Sequence, residues 1–468
     1  MTDELFPPDP KVREIARELY DGVARLPIIS PHGHVDARLL ADDEPFADPA
    51  RLLIVPDHYL TRMLVSQGVP PDRLGVRPLD GGPAETDGRA IWRLFAAHWH
   101  LFRGTPSRLW LELILRDVFG LGDVRLTPGT ADAVYDAIAE RLAEPRFRPR
   151  ALFERFGIET LATTESPLDP LAHHDRLAAD GWGGRVISTF RPDDVVDMDR
   201  PGWERSVRLL GRLTGEDVED FDGYLAALRQ RRAYFAERGA TATDHGHPTA
   251  GTRELDRDRA ARIFEREMCG DGFAGPDDAE AFRGHMLMEF AEMSLADGLV
   301  MQLHPGPFRD HDPWLRRRFG PDSGGDIPTP TDYVRSLKPL LDRFGHEPGF
   351  RLVVFTLDES AFTRELAPLA GVYPAMYLGA PWWFLDSPEG LRRFRETVTE
   401  TAGFYNTAGF TDDTRAFCSI PVRHQVARRI DAAYLARLVA EERLPLDEAA
   451  QTAADLAYHL PKHVYNLS

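Results

Sequence analysis

Eight short β-branched or apolar runs recur along the chain, and their order is what most limits its fold. They are "LPIIS" (26–30), "ETLAT" (159–163), "RVISTF" (185–190), "GATAT" (239–243), "LVMQL" (299–303), "RLVVFT" (351–356), "AMYLG" (375–379) and "NTAGFT" (406–411). Between most of them lie amphipathic segments such as "PLAHHDRLAAD", "AEAFRGHMLMEFAEMSLADG" and "PEGLRRFRETVTETAG", apolar at three- and four-residue spacing. Strand and helix alternating in this way predict an α/β chain closed into a parallel (β/α)8 TIM-like barrel, in preference to an open doubly wound sheet. No glycine-rich phosphate fingerprint follows any run, which also counts against a dinucleotide-binding sheet.

The interval 38–157 is too long for one βα unit. It carries helical patterns ("DPARLLI", "RAIWRLFAAHWHLF", "SRLWLELILRDVFG", "ADAVYDAIAERLAE") broken by "PLDGGPAETDG". The expected organisation is an N-terminal segment with the first strand (1–37), a mostly helical insertion covering the barrel mouth (38–157) and the rest of the barrel (158–468). A second long connection, 192–238, also reads as helical.

In such barrels the catalytic groups project from the C-terminal ends of the strands. Read in order, those positions carry His32 and His34, Thr164 and Glu165, Arg191, Asp244 and His245, His304, Asp358 and Glu359, Trp382 and Trp383, then Asp412, Asp413 and Arg415. In extended backbone, residues i and i+2 share a face, so His32 and His34 would present both imidazoles to one cation. An isolated His-x-His is more often two surface histidines, and it is the carboxylates and arginines at the other strand ends that favour a metal. His32, His34, His304 and Asp413 together suit one divalent ion, zinc foremost, with an open position. His98 and His100 repeat the spacing, but helical flanks would splay them about 200° apart, which makes them structural.

Composition narrows the chemistry further. The formal charge is −19 with no basic tract, so neither nucleic acid nor an anionic membrane is an expected partner. The opening "MTDELFPPDP" lacks a basic or apolar leader pattern, and Cys269 and Cys418 are the only cysteines, so a cytoplasmic location is expected. Lysine occurs only at Lys11, Lys338 and Lys462. None follows a strand run, so a carboxylated lysine bridging two metals is not expected.

The chain resembles the uronate (glucuronate) isomerase family of the amidohydrolase superfamily. The stretches that carry the resemblance are "HGHVD" (32–36), "DHYLTR" (57–62), "TTESPLDPLAHH" (163–174), "TFRPD" (189–193), "TDHG" (243–246), "QLHPGPFRD" (302–310), "PWWFLD" (381–386) and "TDDTRAF" (411–417), in order over nearly the whole chain. Three departures stand out: Gly33 replaces the family's Cys, Trp110-Leu111-Glu112-Leu113 replaces a Trp-Thr-His-Leu-Glu stretch, and an extra residue widens Thr-Asp-Ser-Arg to Thr411-Asp412-Asp413-Thr414-Arg415. Spacing to Arg415 favours Asp413 over Asp412 as the catalytic aspartate, and strand alternation would turn Asp412 away.

The resemblance implies a barrel of the metal-dependent hydrolase type and an aldose–ketose isomerase. D-glucuronate would exchange with D-fructuronate, and D-galacturonate with D-tagaturonate, a proton passing between C2 and C1 through an enediol without a redox cofactor. Asp413 would be the base, and Arg415 would bind the substrate or orient the base. His58 and Tyr59, from the insertion, would manage protons. Arg191 and Arg309 would grip the substrate carboxylate in the two-pronged manner arginine allows, with Arg62, Asp244, His304 and Trp382 completing the substrate site. A small-molecule uronate is the expected partner, in a homo-oligomer. Two other readings remain open at this level: a mononuclear amidohydrolase or lactonase acting on a sugar acid, and an inactive sugar-acid-binding protein.

Overall fold

The computed structural model describes residues 3–270 and 275–467. Seven of the eight runs form regular strands: β1 (Ile28–Ser30), β2 (Ile158–Glu165), β3 (Arg185–Phe190), β4 (Ala242–His245), β5 (Val300–Leu303), β6 (Leu352–Val354) and β7 (Met376–Leu378). All neighbouring pairs are parallel, and the strands follow chain order around the sheet. Parallel neighbours demand a crossover, which the intervening helices supply. Phe221–Ala236 and Pro276–Asp297, for example, lead into β4 and β5.

The expected strand over 406–411 is a correction. It makes a single parallel bridge, Leu378 to Thr407, secured by Leu378 N to Asn406 O (2.9 Å) and Ala408 N to Leu378 O (2.8 Å). Gly409 then adopts φ +77°, a left-handed turn that ends extended backbone. Beyond it the chain meets the continuation of β1, where His34 N donates to Thr414 O (3.0 Å).

The barrel closes around a packed interior. Ile29, Ala162, Ile187, Ala242, Val300, Val353 and Ala408 belong to one apolar cluster, and Tyr377 packs against it, so each of the eight segments contributes. Leu456, Leu460 and Tyr465 from the C-terminal helices join the same cluster. They plug the N-terminal end, where Arg185 donates to Leu467 O (3.0 Å) and Asn466 to Gly298 O (3.1 Å). Strand alternation then divides inside from outside: Met301 and Leu303 of β5 face the surrounding helices, while Val300 and Gln302 face inward.

Residues between Ala37 and Arg155 are helical segments and turns. Several begin at an aspartate whose side chain accepts a backbone N–H, as Asp36, Asp48, Asp57 and Asp87 do. Their apolar faces (Trp92, Phe95, Phe102) share one cluster with Ile28, Ile158 and Leu161 of β1 and β2. Among the described residues no helix is long and apolar enough to cross a membrane.

Candidate active site

The C-terminal ends of the strands open into a cavity of about 840 Å³. His32, His34, Thr164, Arg191, His304, Trp382, Trp383, Asp413 and Arg415 line it from the barrel, and His58 and Tyr59 from the helical segment that follows β1. Arg309 reaches it from the long connection after β5. Asp244 lies fully buried beside these groups, its Oδ1 2.6 Å from His304 Nδ1 and its Oδ2 3.0 Å from an Arg191 nitrogen.

Two overlapping donor sets share His32: His32, His34 and Asp413, and His32, Asp244 and His304. Asp413 Oδ1 is 3.2 Å from His34 Nε2 and 3.5 Å from His32 Nε2. The rings of His32 and His304 are stacked 4.7 Å apart. His32 Nδ1 and His304 Nε2 are buried and lack a hydrogen-bond partner, a costly arrangement unless something else satisfies them. Nitrogen and carboxylate donors converging in this way fit a divalent cation.

Electrostatics hold the set ready. Burial alone would push the Asp413 and Asp244 carboxyls up. His32 and His34 around the first, and Arg191, His304 and His32 around the second, outweigh it and keep both well below the usual carboxylate range. Burial in turn depresses His32 and His34, favouring the neutral imidazole a metal requires. Asp413 also sits at φ +40°, an uncommon conformation for a residue with a Cβ.

Arg191 is clamped from below. Its Nε donates to Asp193 Oδ2 (2.9 Å), and the same carboxylate accepts from Gly246 N (3.2 Å). A Cβ at position 246 would stand 2.1 Å from the Arg191 guanidinium, so glycine is required for this close approach. Arg309 pairs with buried Asp326 (3.0 Å) and Arg415 with Asp322 (3.4 Å).

Across the cavity, Asp57 caps the helix His58–Ser66 and so sets His58 and Tyr59 in its first turn. His58 stacks on Tyr59 and stands edge-on to Trp383, 5.1 Å away. Burial, then the nearby Arg415 charge, lowers its pKa to about 3, so the ring is neutral. The Tyr59 hydroxyl donates to Asp386 Oδ2 (3.0 Å), which also receives Arg423 (2.6 Å). Burial, reinforced by Asp386, raises its pKa well above 10, so the proton stays on.

Other candidate groups point elsewhere. Arg62 does not line the cavity, and its guanidinium lies 4.5 Å over the Phe384 ring. His245 faces outward against Phe290 (4.9 Å), as alternation with inward Asp244 requires. Asp358 caps a short helix, and Glu359 pairs with Arg393. Glu165 turns from the cavity toward Ser188 and His174. Asp412 is turned away to His424 (3.0 Å). The sequence reading had not singled out Asp193, Asp322, Asp326, Asp386 or Arg423. Asp193 and Asp386 fall inside the motif stretches already noted, whereas nothing local distinguishes Asp322, Asp326 or Arg423.

Comparison with known proteins agrees over the full chain. The family model described as "Glucuronate isomerase" matches residues 11–465. The chain is 61% identical over 465 residues to the uronate isomerase of Rhizorhabdus wittichii, covering 99% of this chain and 98% of that one. It superposes on the crystal structure of glucuronate isomerase from Caulobacter crescentus with a TM-score of 0.97 at 53% identity, covering 100% of this chain and 97% of that one. For uronate isomerase from Thermotoga maritima the TM-score is 0.92 at 28% identity, with 99% and 98% covered.

Proposed function

Because the chain belongs to the glucuronate isomerase family, we propose that the cavity at its strand ends carries out that family's aldose–ketose exchange with Asp413 as the base. The reaction interconverts D-glucuronate and D-fructuronate, and D-galacturonate and D-tagaturonate. A hydrolase or an inactive binder is not favoured when relatives named uronate isomerase match the whole chain at 57–61% identity.

The substrate carboxylate is gripped by arginines at the cavity wall, Arg415 and Arg309 foremost, with Arg191 behind them. Anchored at that end, the sugar presents C2 to Asp413. One Asp413 oxygen faces the two imidazoles, and the other takes the C2 proton and returns it at C1, the C2 hydroxyl proton passing to O1 as the carbonyl moves. Neutral His58 is suited to relay the hydroxyl proton. Tyr59, held on Asp386, keeps its proton and shapes the wall, and Trp382 gives the ring an apolar face. His32, His34 and Asp413, with His304 beside them, would hold one divalent ion, zinc by preference for this donor set, supplying a Lewis acid for charge on the sugar oxygens. A cytoplasmic homo-oligomer completes the proposal.

The observation that carries it is Asp413, strained and ionised beside His32 and His34, with Arg415 facing the same cavity two residues on. Asp413→Asn keeps an oxygen toward the imidazoles but removes the base. We expect turnover to fall by roughly 10²–10⁴-fold while bound metal, measured by elemental analysis, stays near the wild-type stoichiometry. Loss of the metal along with turnover would make Asp413 a ligand first.

A further inference from the structure

Building on the isomerase reading, we propose that Asp322 is a specificity-determining residue whose carboxylate occupies the arginines in the free enzyme and yields them only to the carboxylate of the incoming sugar acid.

Asp322 lies on the connection after β5 and adopts φ +58°, with its backbone N–H bonded to Asp310 Oδ1 (3.2 Å). This conformation aims its side chain into the cavity, where it stands 3.4 Å from Arg415 and 3.7 Å from Arg309. The other loop carboxylates at the cavity are committed elsewhere. Asp326 holds Arg309 from a buried position, Asp310 pairs with Arg316, Asp197 with Arg200 and His247, and Asp199 with Arg283. Arg415, by contrast, has Asp322 as its single ion-pair partner among the described residues.

The pair is built to be exchanged. Both side chains are substantially exposed, at 38% and 50%, so solvent screens the attraction. A uronate entering the site replaces one carboxylate by another and leaves Arg415 paired throughout. A neutral aldose offers no such exchange: it must bind with Asp322 still in the way, or leave the arginine without a partner. Asp322 therefore opposes every ligand that must displace it from the arginines, in proportion to its own hold on them, and a carboxylate, which pairs with Arg415 in its place, recovers that loss.

The test compares the metal-loaded wild-type enzyme with Asp322→Asn, Asp322→Ser and Asp322→Glu. The probe is inhibition of D-glucuronate turnover by L-gulonate, which has the same carbon chain and carboxylate but an alcohol in place of the aldehyde. Removing the competing charge should lower the inhibition constant about two- to five-fold in both the Asn and Ser variants, within what a screened ion pair allows. Asp322→Glu, which keeps the charge, should stay near wild type. An unchanged or higher constant in the Asn and Ser variants overturns the inference. Absence of turnover in the wild-type enzyme would instead overturn the isomerase reading, so the two failures are distinct.

Discussion

Glu165 shows how a single carboxyl near the site carries a pH signature distinct from catalysis. It sits one residue past Thr164 in β2, turned from the cavity toward Ser188 and His174. Burial raises its pKa from 4.5 to about 7. A folded-state value above the unfolded one means a contribution to stability that is complete below pH 4.5 and lost as the pH rises through 7. The loss amounts to roughly 3 kcal/mol at most. Glu165→Gln removes it, so urea unfolding should show the variant gaining on the wild-type protein between pH 5 and pH 8. Equal differences at the two pH values would contradict this. At this scale the sequence exposed the chemistry but not the support. His32, His34 and Asp413 stood out because strand ends concentrate functional groups, whereas Arg423 is a buried arginine within a long helix whose partner Asp386 lies 37 residues away. Nothing in local spacing announces such a pair. Tyr59 was legible as a site residue, but not the Asp386 bond that keeps its proton in place.

Among the elements, the seven regular strands follow from β-branched and apolar runs, and the discrepancies trace to glycines. Gly239 has φ +90°, so β4 begins only at Ala242 and extends through Asp244 and His245, which the run 239–243 had placed beyond it. Gly409 at φ +77° reduces the eighth segment to one bridge. Backbone handedness of this kind depends on what the chain must next avoid, and a run of apolar letters does not record it. At Gly409 the obstacle is Pro461, whose Cδ would stand 2.7 Å from an added Cβ. Gly409→Ala should therefore destabilise the protein by about 1–3 kcal/mol, combining an unfavourable φ with a clash. A thermal or denaturant midpoint matching wild type would show that the turn can relax.

Over the whole molecule, a chain of net charge −19 has to attract an anion. It does so locally, with Arg191, Arg309 and Arg415 around one cavity, each placed by a different part of the barrel. That the barrel closes was readable from eight alternating units, and the filled interior of Ile29, Ala162, Ile187, Ala242, Val300, Val353 and Ala408 is its physical form. How the segment carrying His58 and Tyr59 comes to face Trp383 was not, since packing between distant helices leaves no periodic trace. The central claim is that this cavity moves a proton between C2 and C1 of a uronate, and proton NMR of the metal-loaded protein with D-glucuronate in D₂O tests it most directly. The ketose should form, with solvent deuterium entering at the carbon that receives the proton whenever the base exchanges before returning it, and both signals should develop roughly 10²–10⁴-fold more slowly with Asp413→Asn. An unchanged aldose spectrum from protein that holds its metal, with D-galacturonate equally inert, would contradict it.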